Sequence, residues 1–160
     1  MIGSLVLTVA LAASSGGSPD AMKKYQVKTL SLQAPASWER SSQEGTEKFK
    51  SPTGEVFFTL DVGAVQTAGM KADVCLDKIL AAMGAEGWEK LKLGKNPAAR
   101  RVNLDNANEA GSEKVRSITY VGCNGKTTWS MIFSGNDKKK DEFEPVVAKI
   151  TQSVSYSKGK

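Results

Sequence analysis

Cys75 and Cys123 carry the most distinctive chemistry in this chain, because two thiols can form a disulfide, ligate a metal or supply a nucleophile. There is no histidine anywhere. That removes Ser-His-Asp and Cys-His arrangements and the commonest general base near neutral pH. Two thiolates without an imidazole also leave zinc short of its usual ligands, so neither a metal nor a cofactor is expected. In an exported protein a lone cysteine pair is expected to be a structural disulfide, the alternative being two separate free thiols. The two lie 48 positions apart, and closing a loop of that length contributes about 4 kcal/mol by the chain-entropy argument.

Three further groups could do chemistry. Asp105, Glu109 and Glu113 share one loop, where carboxylates could hold calcium or act as acid and base. The run Asp105-Asn106-Ala107-Asn108-Glu109 lacks the ligand order and glycine placement of an EF-hand, and reads better as a solvated turn. Lys90, Lys92, Lys95, Arg100 and Arg101 form the densest basic stretch, on the linker after the first helix, and could grip a phosphate or an acidic partner. The plainer reading is a solvated loop face. Of the tryptophans, Trp88 follows Gly87 in apparent loop and is the one expected to be exposed for stacking on a sugar. Trp129 alternates with Met131 and Phe133 and belongs in the core, and Trp38 is placed to seal one end of a sheet. Lys138-Lys139-Lys140 precedes the last helix, where the helix dipole disfavours cations, and so points to a loop or an anionic contact.

The elements that must position these residues are legible from periodicity. Lys24 to Leu32 alternates with one slip of phase, as a strand with a bulge would, and ends at Pro35. After Trp38 the chain is polar up to Lys48-Phe49-Lys50. The turn Ser51-Pro52-Thr53-Gly54 then leads into a strand from Glu55 to Val62, with Val56, Phe58, Leu60 and Val62 on one side. Phe57, on the other side, suggests that the second face is partly covered. Leu76, Ile79, Leu80 and Met83 give a helix over Ala72 to Met83, with Gly84 at its end and Cys75 beside the buried stripe. Val102 and Leu104 suggest a short strand. Val115 to Val121 and Thr127 to Phe133 flank Asn124-Gly125, read as a type I′ turn, which puts Cys123 at a hairpin tip. A Cys75–Cys123 bond would then pin that tip to the helix. A second helix is expected from Asp141 to Gln152, burying Phe143, Val146, Val147 and Ile150, with Pro145 tolerated only in the first turn. A closing strand covers Ser153 to Tyr156. The count is about six strands and two helices, an α+β chain with an antiparallel sheet and helices packed on it.

Upstream, Ile2 to Ala13 is apolar and small, too short to span a bilayer, and fits the core of a signal peptide. No lysine or arginine precedes it, a departure from the usual charged start, so the natural start lies elsewhere or the chain has been shortened. Leu11-Ala12-Ala13-Ser14 resembles a lipoprotein processing box except at Ser14, where such proteins carry the lipidated cysteine. Either the protein is secreted and cut near Ala12 or Ala13, or Ser14 replaces a native cysteine, in which case the Gly/Ser run Ser15 to Ser18 is a tether. Residues 1–21 are therefore read as leader and tether, and 22–160 as one globular domain.

With 40% hydrophobic and 24% charged residues, the balance is that of an ordinary globular chain. The net charge of +5 gives a mild attraction for anionic surfaces. Basic residues are scattered among acidic ones, so no nucleic-acid partner is expected.

Leu30-Ser31-Leu32 running into Pro35 and Trp38, Phe49 before Ser51-Pro52, then long strand, helix, hairpin and a last helix into Ser153-Val154-Ser155-Tyr156, resemble the PsbP-like superfamily over Tyr25 to Tyr156. Its bacterial members include DcrB-type envelope lipoproteins. The resemblance implies an α/β/α sandwich on an antiparallel sheet and adaptor-like work as an assembly factor, chaperone or binding subunit. It implies no catalytic residues. The expected function is thus a non-catalytic exported protein, periplasmic or envelope-associated, that binds another envelope protein. The alternatives are a binder of polysaccharide or anionic lipid using Trp88 and the basic stretch, and third a small enzyme using the loop carboxylates. Membrane attachment is expected only through a lipid on position 14.

Overall fold

The structure is a computed structural model that describes residues 21–157; the leader, the processing box and Ser14 lie outside the described residues. The chain enters as a hairpin of β1 (Met22–Val27) and β2 (Leu30–Pro35), with Val27 opposite Leu30 and Tyr25 opposite Leu32. The slip of phase is therefore a chain reversal and not a bulge. Lys28 takes a left-handed φ of 50°, and folding back places all four apolar residues on one side. The polar stretch after Trp38 is a second hairpin, β3 (Glu39–Gln43) and β4 (Thr46–Lys50), turning at Glu44 and Gly45 with φ of 52° and 87°. β3 is exposed along its whole length, so it has no apolar alternation by which to be read.

The Ser51–Gly54 turn leads into β5 (Val56–Ala64), which buries Phe58, Leu60 and Val62 as expected. Helix α1 (Ala72–Ala82) buries Cys75, Leu76 and Leu80. The basic linker expected next is in fact a third hairpin, β6 (Glu89–Leu93) with β7 (Asn96–Asn106). β7 is 11 residues long, well beyond the short strand suggested by Val102 and Leu104. β8 (Lys114–Cys123) and β9 (Thr127–Asn136) form the expected hairpin.

The tip of that hairpin differs from a type I′ turn on Asn124-Gly125. Asn124 N–H donates to the Thr127 carbonyl (3.2 Å), which makes Gly125 and Lys126 the central pair, and Gly125 takes the positive φ of 86°. The Asn124 side-chain oxygen accepts from the amides of Lys126 and Thr127 at 2.9 and 2.8 Å. A side chain at position 125 would run into the Met70 carbonyl, so the tip presses directly on the backbone that leads into α1.

One 3-10 turn, Asp137–Lys139, precedes helix α2 (Lys140–Gln152), and β10 (Ser155–Tyr156) closes on β2. Pro145 lies past the first turn of α2, not within it; it and Asp141 are exposed, so the carbonyl that loses its partner meets water. Lys139, in the triple-lysine run, pairs with Glu55 at 2.7 Å.

Among the described residues the strands number ten, not six. They form an antiparallel sheet of seven, in the order β3-β4-β5-β9-β8-β7-β6, and a sheet of three, β1-β2-β10. The small sheet and α2 pack on one face of the large sheet, where Tyr25, Leu32, Val147 and Ile150 meet Phe49, Phe58, Met131 and Phe133 in one core. Because neighbouring strand residues point to opposite sides, Ile118 and Tyr120 join that core while Val121 faces away. There Val121 and Ala99 meet Leu76 and Leu80 of α1. The layers are thus α1, the large sheet, then the small sheet with α2, which is the expected sandwich with an added sheet.

Cys75 and Cys123 are bonded, with Cα atoms 6.2 Å apart, and both are buried. The expected tie between hairpin tip and helix is present.

Two phenols, buried Tyr120 and half-buried Tyr156, set a pH response. Tyr156 accepts a hydrogen bond from the Trp129 indole N–H at 2.8 Å, and burial raises the pKa of both Tyr120 and Tyr156 above the ordinary value of 10.0. The folded state holds these protons more tightly than the unfolded chain. The contribution is complete below pH 10 and is lost as pH rises through the raised values. An ultraviolet titration is expected to show both phenols ionising later in the folded protein than in denaturant, with stability falling over the same interval. Ionisation at the same pH in both states would contradict this.

Candidate binding surface

α1 packs over β7 and β8, which leaves β9, β5 and β4 open on the same face of the sheet. Strand register says which side chains stand there. Lys48 is opposite Thr59, Thr59 opposite Ile132, Ile132 opposite Thr119, and Thr119 opposite Arg101, so these five form one row across the strands. A parallel row holds Lys50, Phe57, Ser134, Ser117 and Asn103. Four of these ten residues carry hydroxyls, Thr119 among them buried, and Ile132 is 39% exposed at the middle.

Between this floor and α1 runs a groove of about 410 Å³. Ile79 of α1 and Met83 at its C-terminal cap form one wall, Val121 and Ser130 the floor, and Asp61 and the Glu44–Gly45 turn the far side. Met83 is 38% exposed. Isolated exposed apolar residues are ordinary; here two of them, Met83 and Ile132, belong to one continuous face.

The six residues that the sequence singled out divide between several places. Trp88 is half-buried, not exposed: the Arg101 guanidinium lies over its ring at 4.4 Å, and its indole N–H donates to the Gly84 carbonyl at 2.9 Å. Arg101 in turn donates to the Met83 carbonyl at 3.3 Å. Lys90 and Lys92 share the α1 side of β6, opposite Ala99 and Pro97. They border a hollow of about 300 Å³ with Asp73 and Asp77. Lys90 pairs with Asp77 at 2.6 Å; both are well exposed, so the pair adds little stability. Lys95 sits in the exposed turn between β6 and β7. Arg100 points to the other side of the sheet, 3.6 Å from Glu89 and close to Tyr120. The structure therefore brings Trp88 and Arg101 together, with Lys90 and Lys92 on their side, and separates Arg100. A strand alternates its faces, and a stretch read as loop carries no such alternation.

The loop carboxylates do not converge. Asp105 lies in the exposed end of β7, and the turn is held by its own groups, Ala107 N–H to the Glu113 carbonyl (2.8 Å) and Ser112 N–H to the Asn108 side chain (3.2 Å). Among the described residues no three His, Cys, Asp or Glu side chains are grouped to hold a metal ion.

Sequence reasoning did not single out Lys48 or Ile132, though it noted that Phe57 has a partly covered side. The signal was present in β9. Thr128, Ser130 and Ser134 occupy the outward phase opposite Trp129, Met131 and Phe133, and Ile132 is the one apolar residue among them.

No protein family matches the chain, and no curated protein matches it in sequence. Solved structures do. A protein of Bacteroides thetaiotaomicron superposes with a TM-score of 0.64 at 14% identity, over 81% of this chain and 46% of that one, so this chain spans about half of that neighbour's length. Cyanobacterial PsbP (CyanoP) from Synechocystis gives a TM-score of 0.57 at 10% identity, covering 91% of this chain and 98% of its own. LpqN of Mycobacterium tuberculosis, described as involved in cell envelope biogenesis, gives 0.53 at 13% identity, covering 89% and 88%. At these identities the likeness shows the architecture alone, and that architecture is the PsbP-like α+β fold.

Proposed function

We propose that this chain is a non-catalytic protein of the cell envelope that binds another protein, as an accessory or assembly factor, through the open half of its large sheet. The observation that carries the reading is the incomplete cover of that face: α1 shields β7 and β8, and Ile132 and Met83 stand exposed beside a groove. A mixed floor of hydroxyls with a few apolar contacts suits a non-obligate interface, which is about as polar as ordinary surface. An envelope-biogenesis protein among the fold neighbours and the apolar leader support an exported location, with residues 1–21 as leader and tether and 22–160 as the working domain. Fold alone does not fix function, so the face must carry the argument.

A glycan or anionic lipid bound through Trp88 and the basic stretch is the weaker reading, because Arg101 already covers the Trp88 ring and Lys90 is paired with Asp77. Trp88→Ala combined with Lys90→Ala separates the two. Amine-reactive cross-linking of the full-length protein in its native envelope, read by mass spectrometry, is expected to join one protein partner through Lys48 or Lys50. Capture should persist in the double variant. Cross-links confined to Lys149 on α2, or capture of glycan or lipid that disappears in the double variant, would overturn the reading.

A further inference from the structure

The cations of the large sheet are partnered in two ways. On the α2 side each arginine has a carboxylate: Arg40 with Glu47 at 2.6 Å, Arg100 with Glu89 at 3.6 Å, and Arg116 with Asp137 at 2.8 Å and Glu144 at 3.4 Å. On the α1 side Lys90 pairs with Asp77 at 2.6 Å, whereas Lys48, on the open strand β4, and Arg101, on β7 beside α1, have no carboxylate within ion-pair distance among the described residues. Each instead lies over an aromatic ring, Lys48 at 4.7 Å from the Phe57 centroid and Arg101 at 4.4 Å from that of Trp88. A ring face holds a cation in place without neutralising it. Arg101 also keeps its Nε buried without a hydrogen-bond partner.

These two cations occupy the same cross-strand row, with Ile132 midway between them. Lys48 and Arg101 are four strand spacings apart, roughly 19 Å between backbones at about 4.8 Å per strand. The row therefore reads cation, hydroxyl, exposed isoleucine, buried threonine, cation. Resting on the protein-binding reading above, we propose that this row docks an acidic segment of the partner protein, with one carboxylate at Lys48, one at Arg101, and an apolar side chain on Ile132.

The span fits about 13 residues of helix at roughly 1.5 Å per residue, or about six extended residues at roughly 3.3 Å. The charges beside the row favour discrete carboxylates over a continuous polyanion. Asp61, held by Thr46 at 2.5 Å, stands in the next row, and Glu44 is exposed at the groove edge. An anionic polysaccharide or bilayer would present charge to these carboxylates as well as to the cations, and like charges in contact are penalised. A polysaccharide would also offer Ile132 no apolar group.

The test places a photo-cross-linking residue at position 132 of the full-length protein in its native host and compares capture across charge variants. Lys48→Glu and Arg101→Glu are each expected to lower capture of the partner about tenfold or more, the usual consequence of reversing one member of a close interfacial pair. Lys149→Glu, an equal charge change on α2, should leave it unchanged. Lys48→Gln should give an intermediate loss with an unaltered thermal midpoint, which separates lost binding from lost folding. Undiminished capture in both reversals would overturn the acidic-segment proposal and leave the protein-binding reading standing. Capture of glycan or lipid, or no capture in any variant, would overturn both.

Discussion

Phe58→Ala is expected to destabilise the protein by about 3–5 kcal/mol, the usual consequence of emptying a fully enclosed aromatic site. Phe58 is completely buried, stacked on Phe49 with centroids 4.6 Å apart, and flanked by Phe133 at 4.9 Å and Trp38 at 5.9 Å. These neighbours come from β4, β9 and the Trp38 entry to β3 and Phe58 itself from β5, so the cavity would open where four segments are held together. Rigid rings on a paired backbone relax little into such a void. Phe57→Ala, one position along the same strand but half-buried on the open side, is expected to cost about 1 kcal/mol. Urea unfolding of the two variants checks both values. Equal losses would mean that the two faces of β5 are not distinguished as described.

The second large effect is expected at the disulfide. Replacing both Cys75 and Cys123 with alanine releases a 48-residue loop and should remove about 4 kcal/mol of stability. The loss should also have a local component. α1 is held to the sheet by the disulfide and by a small cluster in which Leu76 and Leu80 meet Ala99 and Val121, far less contact than the core on the other face. Without the bond, amide exchange is expected to rise first in Ala72–Ala82, before the β5–β9 pairing loosens. Because Ile79 and Met83 form one wall of the groove, partner binding should weaken under conditions where the variant is still folded. A double variant within about 1 kcal/mol of the parent, with α1 as protected as before, would contradict this role.

Legibility in the sequence followed burial. β5, α1, the β8–β9 hairpin and α2 were readable because each has one face in a core and the other in solvent, which writes the period into the residues. The disulfide is legible from a lone cysteine pair in a chain read as exported, and its placement from the periodicity, which puts Cys75 beside a buried helical stripe and Cys123 at a hairpin tip. β3 was not readable, because all five of its residues are exposed and exposure erases periodicity. β6 was hidden by its lysines, which shield an edge strand from pairing with other chains and make it resemble a loop. The first hairpin was mistaken for a bulged strand because its reversal uses Lys28 at positive φ with neither glycine nor asparagine to mark it.

The binding surface was legible only in part. Trp88 and Arg101 were noticed as an aromatic and a cation, but their stacking depends on the pairing of β6 with β7, which composition does not reveal. Lys48, Thr59 and Ile132 come from three different strands, and their common row exists only once β4, β5 and β9 are in register. A site assembled across strands leaves no local motif.

The central claim is that the open half of the large sheet is where another protein binds, and the isoleucines provide built-in reporters for it. Ile79 lines the groove and Ile132 stands on the open face, whereas Ile118 and Ile150 are buried in the core on the other side. The most direct measurement is methyl NMR of the full-length protein, labelled at isoleucine δ1, on addition of envelope extract from its native host. The account predicts that the Ile79 and Ile132 signals shift or broaden while those of Ile118 and Ile150 keep their positions. Changes confined to Ile118 and Ile150, or spectra that do not change, would contradict it.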